Sequence, residues 1–181
     1  LSSPKGPVKL HAMADVFQDR LGASHKSLSQ QFGQAIDVPA ERQFIGFDAY
    51  RKAIDCLRPG DVALLTTHAA FRPTHMAYAV EKGINVFMEK SFAPDPAGIK
   101  QVLKLGEIAE KKNLKMATGL MCRHSSARQA LIQKARDGEL GSLQLIRAYR
   151  MDSQLGMGPW KSRDGELVAQ IRNPYSFFWT S

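Results

Sequence analysis

The sequence predicts an α/β protein built on a doubly wound parallel sheet. Short apolar runs of strand length alternate with segments of helical spacing, giving the order βαβαβαβαβαβ. The runs Asp61–Leu65 (DVALL) and Val86-Phe87-Met88 are nearly continuous in apolar residues, as strands buried in a parallel sheet require. Polar and charged residues follow these runs at their C-terminal ends, the edge of an open α/β sheet where ligands bind.

Residues Leu1 to Pro7 are Ser, Pro, Gly and Lys and read as a loop. Val8 to Ala14 (VKLHAMA) reads as a strand that ends at Asp15. Helical spacing follows from Gln18 to Phe32, with Leu21 and Leu28 on one face. Glu41 to Ile45 is a short strand. Asp48 is placed to cap a helix carrying Tyr50, Ile54 and Leu57 on one side, stopped by Arg58-Pro59-Gly60. Strand Asp61–Leu65 ends in Thr66-Thr67-His68. Pro73 opens a helix that Gly83 closes. The strand ending at Met88 leads into Glu89-Lys90. Asp95-Pro96 then reads as an N-cap followed by proline in the first turn. The helix it starts runs to Lys112, with Ile99, Val102, Leu103, Ile108 and Ala109 as its apolar stripe. Leu114 to Gly119 is a strand, Ser125 to Asp137 a helix closed by Gly138, and Leu143 to Met151 a further strand. Beyond Met151 periodicity is lost until an aromatic run, Tyr175-Phe177-Phe178-Trp179. That run reads as the start of a second unit.

The balance of 25 Lys+Arg against 17 Asp+Glu gives a net charge of +8. The basic clusters, Lys111-Lys112-Lys115 and Arg123-His124-Arg128, are brief, and no basic helix, zinc finger or aromatic–basic motif accompanies them. The charge is that of a solvated surface, and no nucleic-acid partner is expected. Cys56 and Cys122 form no metal-spaced set and read as small apolar packing residues; no metal site is expected. No apolar run approaches the roughly 18 residues of a membrane span, and no membrane partner is expected. The chain opens on Leu1 rather than Met, so the natural N-terminus, with any targeting segment, is expected upstream. No compartment follows from these residues: cytoplasmic, or periplasmic if an upstream twin-arginine signal exists.

Several residues stand where chemistry is expected. Asp15, at a strand end, can accept hydrogen bonds from a ribose 2′-hydroxyl, or cap the helix that follows. A carboxylate there repels a 2′-phosphate, favouring NAD over NADP. Thr66, Thr67 and His68 stand where backbone and hydroxyl groups can meet a dinucleotide, although threonine in such a turn often only caps a helix. His75 lies on the next helix and is either a cofactor contact or a satisfied core histidine. Glu89 and Lys90 are either a surface ion pair worth under about 1 kcal/mol or a cleft pair in which the lysine transfers protons. Arg123-His124 is an anion or substrate candidate. The single GxG, Gly156-Met157-Gly158, neither follows the first strand nor opens a helix, and reads as a loop. The glycine-rich turn and the strand before it are expected in roughly 30 residues upstream.

LLTTHAAFRPTHMAYAVEKGINVFMEKSFAPDPAGIKQVL resembles the Gfo/Idh/MocA (glucose–fructose oxidoreductase/inositol dehydrogenase) family. That family has a Thr-Pro turn, a helix with a histidine, and a strand ending in Glu-Lys-Pro; Thr67, His75, Glu89 and Lys90 match these positions. ADVFQDRL matches the end of its second strand, with Asp15 as the ribose acid. GLMCRH is similar to its sixth strand and following arginine, Arg123. GELGSLQLIRAYRM resembles the passage into its substrate domain, and QIRNPYSFFW a segment of one bacterial branch.

The resemblance implies a Rossmann-type doubly wound parallel sheet lacking its first strand, followed by the start of an α+β substrate domain. Residues 1–122 would be a partial NAD-binding domain and 123–181 the beginning of the C-terminal domain. It implies an NAD-dependent oxidoreductase transferring hydride between nicotinamide and a sugar, polyol or related hydroxyl substrate. Lys90 would be catalytic; Asp15, Thr66, Thr67, His68, His75, Glu89 and Arg123 would line the cofactor. The full-length parent would be a homo-oligomer. The alternatives are an NAD-using glycoside hydrolase of the same family and a non-catalytic or truncated binding remnant. Ser91 and His68 replace the family's two prolines. In the strand order 3-2-1-4-5-6 the missing strand is central, so strands two and four must pair or leave a gap. The 181 residues alone are expected to bind NAD weakly or not at all.

Overall fold

Alternate residues of two adjacent strands point to one face and build the core. The computed structural model describes residues 6–149, 151 and 165–173; Gly156–Gly158 and the aromatic run 175–179 lie outside them. In chain order the elements are β1 (Met13–Asp15), α1 (Gln18–Phe32), β2 (Gln43–Ile45), α2 (Ala49–Asp55), β3 (Val62–Leu65), α3 (Arg72–Glu81), β4 (Asn85–Glu89), α4 (Pro96–Lys111), β5 (Met116–Gly119), α5 (Met121–His124), α6 (Ser126–Arg136) and α7 (Glu166–Arg172). Ala63 and Leu65 of β3, with Val86 and Met88 of β4, meet Ile54 of α2, Met76, Ala79 and Val80 of α3, and Ala109 of α4. Burying each larger apolar side chain contributes about 1.5–3 kcal/mol. The other face of β3 is open: Val62 is 50% and Leu64 55% exposed. This follows from the winding, since right-handed crossovers running in one direction put their helices on one face.

All strand pairs are parallel, as predicted, but they form two sheets. β1 pairs with β2, and separately β3, β4 and β5 pair in that order. Among the described residues nothing pairs with the inner edges of β1 and β3. Of the two outcomes expected for a missing central strand, the chain adopts the gap. Helix α2 ties the halves together by packing on β1, β2 and α3.

Several boundaries differ from expectation. Of the 8–14 strand only Met13 and Ala14, with Asp15 after them, form a ladder, because β2 offers three residues; Leu10 makes an isolated bridge to Ile36. Residues 41 and 42 close a 3-10 turn, Ala40–Arg42, instead of extending β2. Asp48 makes no cap hydrogen bond and instead pairs with Lys52 at 3.0 Å. Leu103 is 65% exposed and Ile99 37%, so the buried stripe of α4 runs through Val102, Leu105, Ile108 and Ala109. Residues 143–149 form no strand: without a pairing partner their alternation leaves Leu145, Ile146 and Tyr149 exposed. Cys122 is exposed on α5, which sequence spacing did not reveal, and does not pack as a core residue. No helix among the described residues is long and apolar enough to cross a membrane.

Candidate functional site

Parallel strands deliver their carboxyl ends to one edge. Register places Leu65 beside Met88 and Glu89 beside Gly119, so Thr66, Glu89 and Gly119 leave the sheet at one level. The Glu89 side chain lies over Gly119. A Cβ at position 119 would stand 2.3 Å from Glu89 Oε1, so only glycine admits the carboxylate there. Glu89 Oε2 also accepts from the Lys90 amide at 3.3 Å. Lys90 itself is exposed at the strand end.

The loop after Lys90 is held at both ends. Asp95 caps α4 by accepting from the Gly98 amide at 2.7 Å. Gly98 packs so closely that a Cβ would meet Ala93 Cβ at 2.7 Å. At the near end the Arg72 guanidinium, 5% exposed, donates through Nη1 to the Glu89 carbonyl at 2.7 Å and to the Ser91 carbonyl.

His75 is 9% exposed on α3. Its ring stacks on Tyr50, with centroids 4.1 Å apart, and on Phe71, 6.2 Å away. Nδ1 lies 3.4 Å from Thr67 Oγ1. Burial lowers its pKa to about 4, so the ring is neutral near pH 7. Its contact toward the end of β3 is the one with Thr67. Thr66 is exposed at the end of β3.

Asp15 and His68 face a different neighbour. Asp15 Oδ1 accepts from the Phe17 amide at 2.8 Å, tying down the chain as it enters α1. His68 Nε2 donates to the Ile171 carbonyl of α7 at 3.0 Å, which fixes the proton on that nitrogen. Burial pulls the His68 pKa below its ordinary value, partly offset by that bond. Arg172 pairs with Asp19 at 2.9 Å and covers the Phe17 ring at 4.0 Å. Arg20 donates to the Arg172 carbonyl at 2.7 Å. Ala169 and Ile171 are buried, so α7 lies against both the start of α1 and the turn after β3. Arg123 is exposed on α5, where its carbonyl accepts from Gln129 Nε2.

The structure therefore brings Glu89, Lys90 and Thr66 to one strand edge, places Asp15 and His68 where α7 docks, buries His75 behind Thr67, and leaves Arg123 on the turn beyond β5. Sequence reasoning missed Arg72 and Gly119. Arg72 had a signal: it shares the buried stripe of α3 with His75, Met76 and Ala79, where a cation needs partners.

The chain matches no protein-family model and no curated protein. Solved structures do match. Myo-inositol 2-dehydrogenase from Lactobacillus plantarum is 19% identical, with a TM-score of 0.57 over 74% of this chain and 35% of that one. The fold is Rossmann-like. Scyllo-inositol dehydrogenase from Lactobacillus casei, bound to NAD(H) and scyllo-inositol, gives 22% identity and a TM-score of 0.55 over 74% and 34%. Aldose-aldose oxidoreductase from Caulobacter crescentus, complexed with glycerol, gives 22% and 0.54 over 74% and 36%. At such identities the likeness is one of fold. The chain spans about a third of the length of these enzymes. Against the Rossmann-like order 3-2-1-4-5-6, the break falls at the first strand, with β1 and β2 on one side and β3, β4 and β5 on the other.

Proposed function

We propose that the chain is the cofactor side of a nicotinamide-dependent oxidoreductase of the Gfo/Idh/MocA type, acting on a hydroxyl of a sugar, polyol or related compound. The observation that carries this reading is the strand end itself. Lys90 is exposed at the carboxyl edge of β4, its backbone held from beneath, with the Glu89 carboxylate set over a glycine beside it. The solved structures of like fold include two inositol dehydrogenases, an aldose-aldose oxidoreductase and a 3-ketoreductase in complex with NADP.

The residues fit part of a dinucleotide. The Asp15 carboxylate, anchored through Oδ1, suits ribose hydroxyls and disfavours a 2′-phosphate, which favours NAD over NADP. Thr66, Thr67 and Glu89 suit the nicotinamide side, with His68, His75 and Arg123 as further candidates. A glycine-rich turn to cradle the pyrophosphate is not among the described residues before β1. When bound, the nicotinamide accepts or returns the hydride. The chain's own part is the proton: Lys90 Nζ takes it from the substrate hydroxyl as the carbonyl forms, and returns it in the reverse direction. Residues 1–122 form the cofactor unit and 123–181 begin a substrate unit.

The test is absorbance of reduced nicotinamide when the complete gene product meets NAD+ or NADP+ with inositols, aldoses and glycerol. Turnover that falls about 10²–10⁴-fold in Lys90→Met supports the reading. Turnover unaffected by that change, or none on any substrate, sinks it. Ser91 and His68, where the resembled family has prolines, favour a non-catalytic binding member as the second reading. Cofactor binding without turnover would establish that one.

A further inference from the structure

We infer that Arg72 is the positioning residue of Lys90: one buried guanidinium grips the carbonyls on both sides of Lys90 and fixes the backbone from which its side chain projects. The functional meaning rests on the role proposed for Lys90; the clamp itself rests on geometry.

Arg72 is the first residue of α3 and is 5% exposed. A guanidinium out of water is costly unless hydrogen-bonded. Its Nη1 donates to the carbonyls of Glu89, at 2.7 Å, and Ser91. Charge-assisted bonds of this kind are roughly twice as strong as neutral ones. The two acceptors bracket a single residue. With both carbonyls turned toward Arg72, the Lys90 side chain leaves on the exposed side, at the strand edge.

Other contacts around Lys90 point to the same arrangement. Asp95 and Gly98 pin the far end of the 91–95 loop. Glu89 Oε2 takes the Lys90 amide, and Gly119 makes room for that carboxylate. Arg72 alone among these reaches across Lys90 from one carbonyl to the other. It sits 17 and 19 residues earlier in the chain, on a helix anchored in the core by Met76, Ala79 and Val80. The clamp therefore ties Lys90 to the rigid part of the fold. Lysine is a poor substitute, because its strongly hydrated ammonium turns freely on a flexible stem, whereas the planar guanidinium fixes the directions of both Nη1 hydrogens.

The test compares the wild-type chain with Arg72→Lys and Arg72→Ala by ¹⁵N relaxation, with Val86 and Met88 as core references. Wild-type Lys90, Ser91 and Phe92 are expected to have order parameters of about 0.85. In Arg72→Ala they fall below about 0.6 while the references hold, and millimolar methylguanidinium restores them. Arg72→Lys, which keeps the charge and gives a second variant should alanine fail to fold, lies between. Unchanged order parameters at 90–92 in either folded variant overturn the inference. So does a loss spread equally over β3 and β4, which marks a folding role only. In the nicotinamide assay, Arg72→Ala lowers kcat about tenfold or more with KM retained, and adds nothing to Lys90→Met. An Arg72-dependent segment in a protein without turnover upholds the clamp and removes the catalytic reading. Turnover in a protein whose 90–92 segment ignores Arg72 does the reverse.

Discussion

Gly119→Ala is the sharpest local test of how the strand edge is built. The added Cβ would lie 2.3 Å from Glu89 Oε1, 2.6 Å from Cδ and 2.7 Å from Oε2. All three are contacts that must relax, and all are with the far end of one flexible side chain, so the backbone can stay. Displacing Glu89 costs about 0.5–1.5 kcal/mol in rotamer strain. The hydrogen bond from the Lys90 amide, worth about 0.5–1.5 kcal/mol net, is lost with it. Replacing glycine inside a strand returns about 0.5–1 kcal/mol. The net destabilisation is therefore about 1 kcal/mol, read from urea midpoints at unchanged m-value. Turnover suffers more than stability, because the carboxylate leaves the side of Lys90; a drop of about tenfold in kcat/KM is expected. The decisive control is the Glu89→Ala background, where the clash has no partner and Gly119→Ala becomes neutral or stabilising. An equal cost in both backgrounds would refute the claim that Glu89 is what the glycine accommodates.

Lys90→Met removes the proposed proton carrier from an exposed position and is expected to change stability by less than about 0.5 kcal/mol, measured by urea unfolding beside the kinetic assay. His75, its folded-state pKa lowered by burial from the ordinary 6.5 to about 4, must gain a proton on unfolding at mildly acidic pH. Its stabilising effect is full above pH 6.5 and is lost as pH falls toward 4, by about 3 kcal/mol in all; unfolding midpoints of His75→Phe against wild type should show that this variant lacks the slope. Arg172→Ala breaks the Asp19 pair and the Phe17 contact, and is expected to raise hydrogen exchange at Ala169 and Ile171 while costing under about 1 kcal/mol globally.

What could be read from the sequence was local. The Asp95 cap, the Gly83 stop and the full extent of α1 each depend on residues within a few positions of one another, and the structure agrees with all three. The carboxyl-end placement of Asp15, Thr66 and Glu89-Lys90 was legible for the same reason: the apolar run and the polar residue that ends it are adjacent. Expectations that depended on a distant partner fared differently. Residues 143–149 alternate well enough for a strand, but alternation supplies no neighbour to pair with. The stripe of α4 was misplaced at Leu103 because the spacing of apolar residues does not say which of two overlapping stripes meets the sheet.

The candidate site at the strand edge is the part least written in any one stretch. Glu89 needs Gly119, thirty positions on, and the backbone at Lys90 needs Arg72 on the preceding helix. Neither partner resembles a catalytic residue: one is a glycine at a strand end, the other a cation on a buried helical stripe. The parallel register makes them a set, because it brings β4 and β5 out at one level, where Arg72 reaches from the start of α3. That arrangement persists although no strand among the described residues fills the break between β1 and β3. The Lys90 edge lies wholly within the three-stranded sheet and its helices. Asp15, the residue proposed for the ribose end of a dinucleotide, lies on β1, across the break. The proposed proton-transfer geometry is therefore separable from the proposed ribose contact, and substitution of Arg72, which the proposal places in neither the ribose nor the nicotinamide contacts, should alter the first without changing the affinity measured for a nicotinamide dinucleotide.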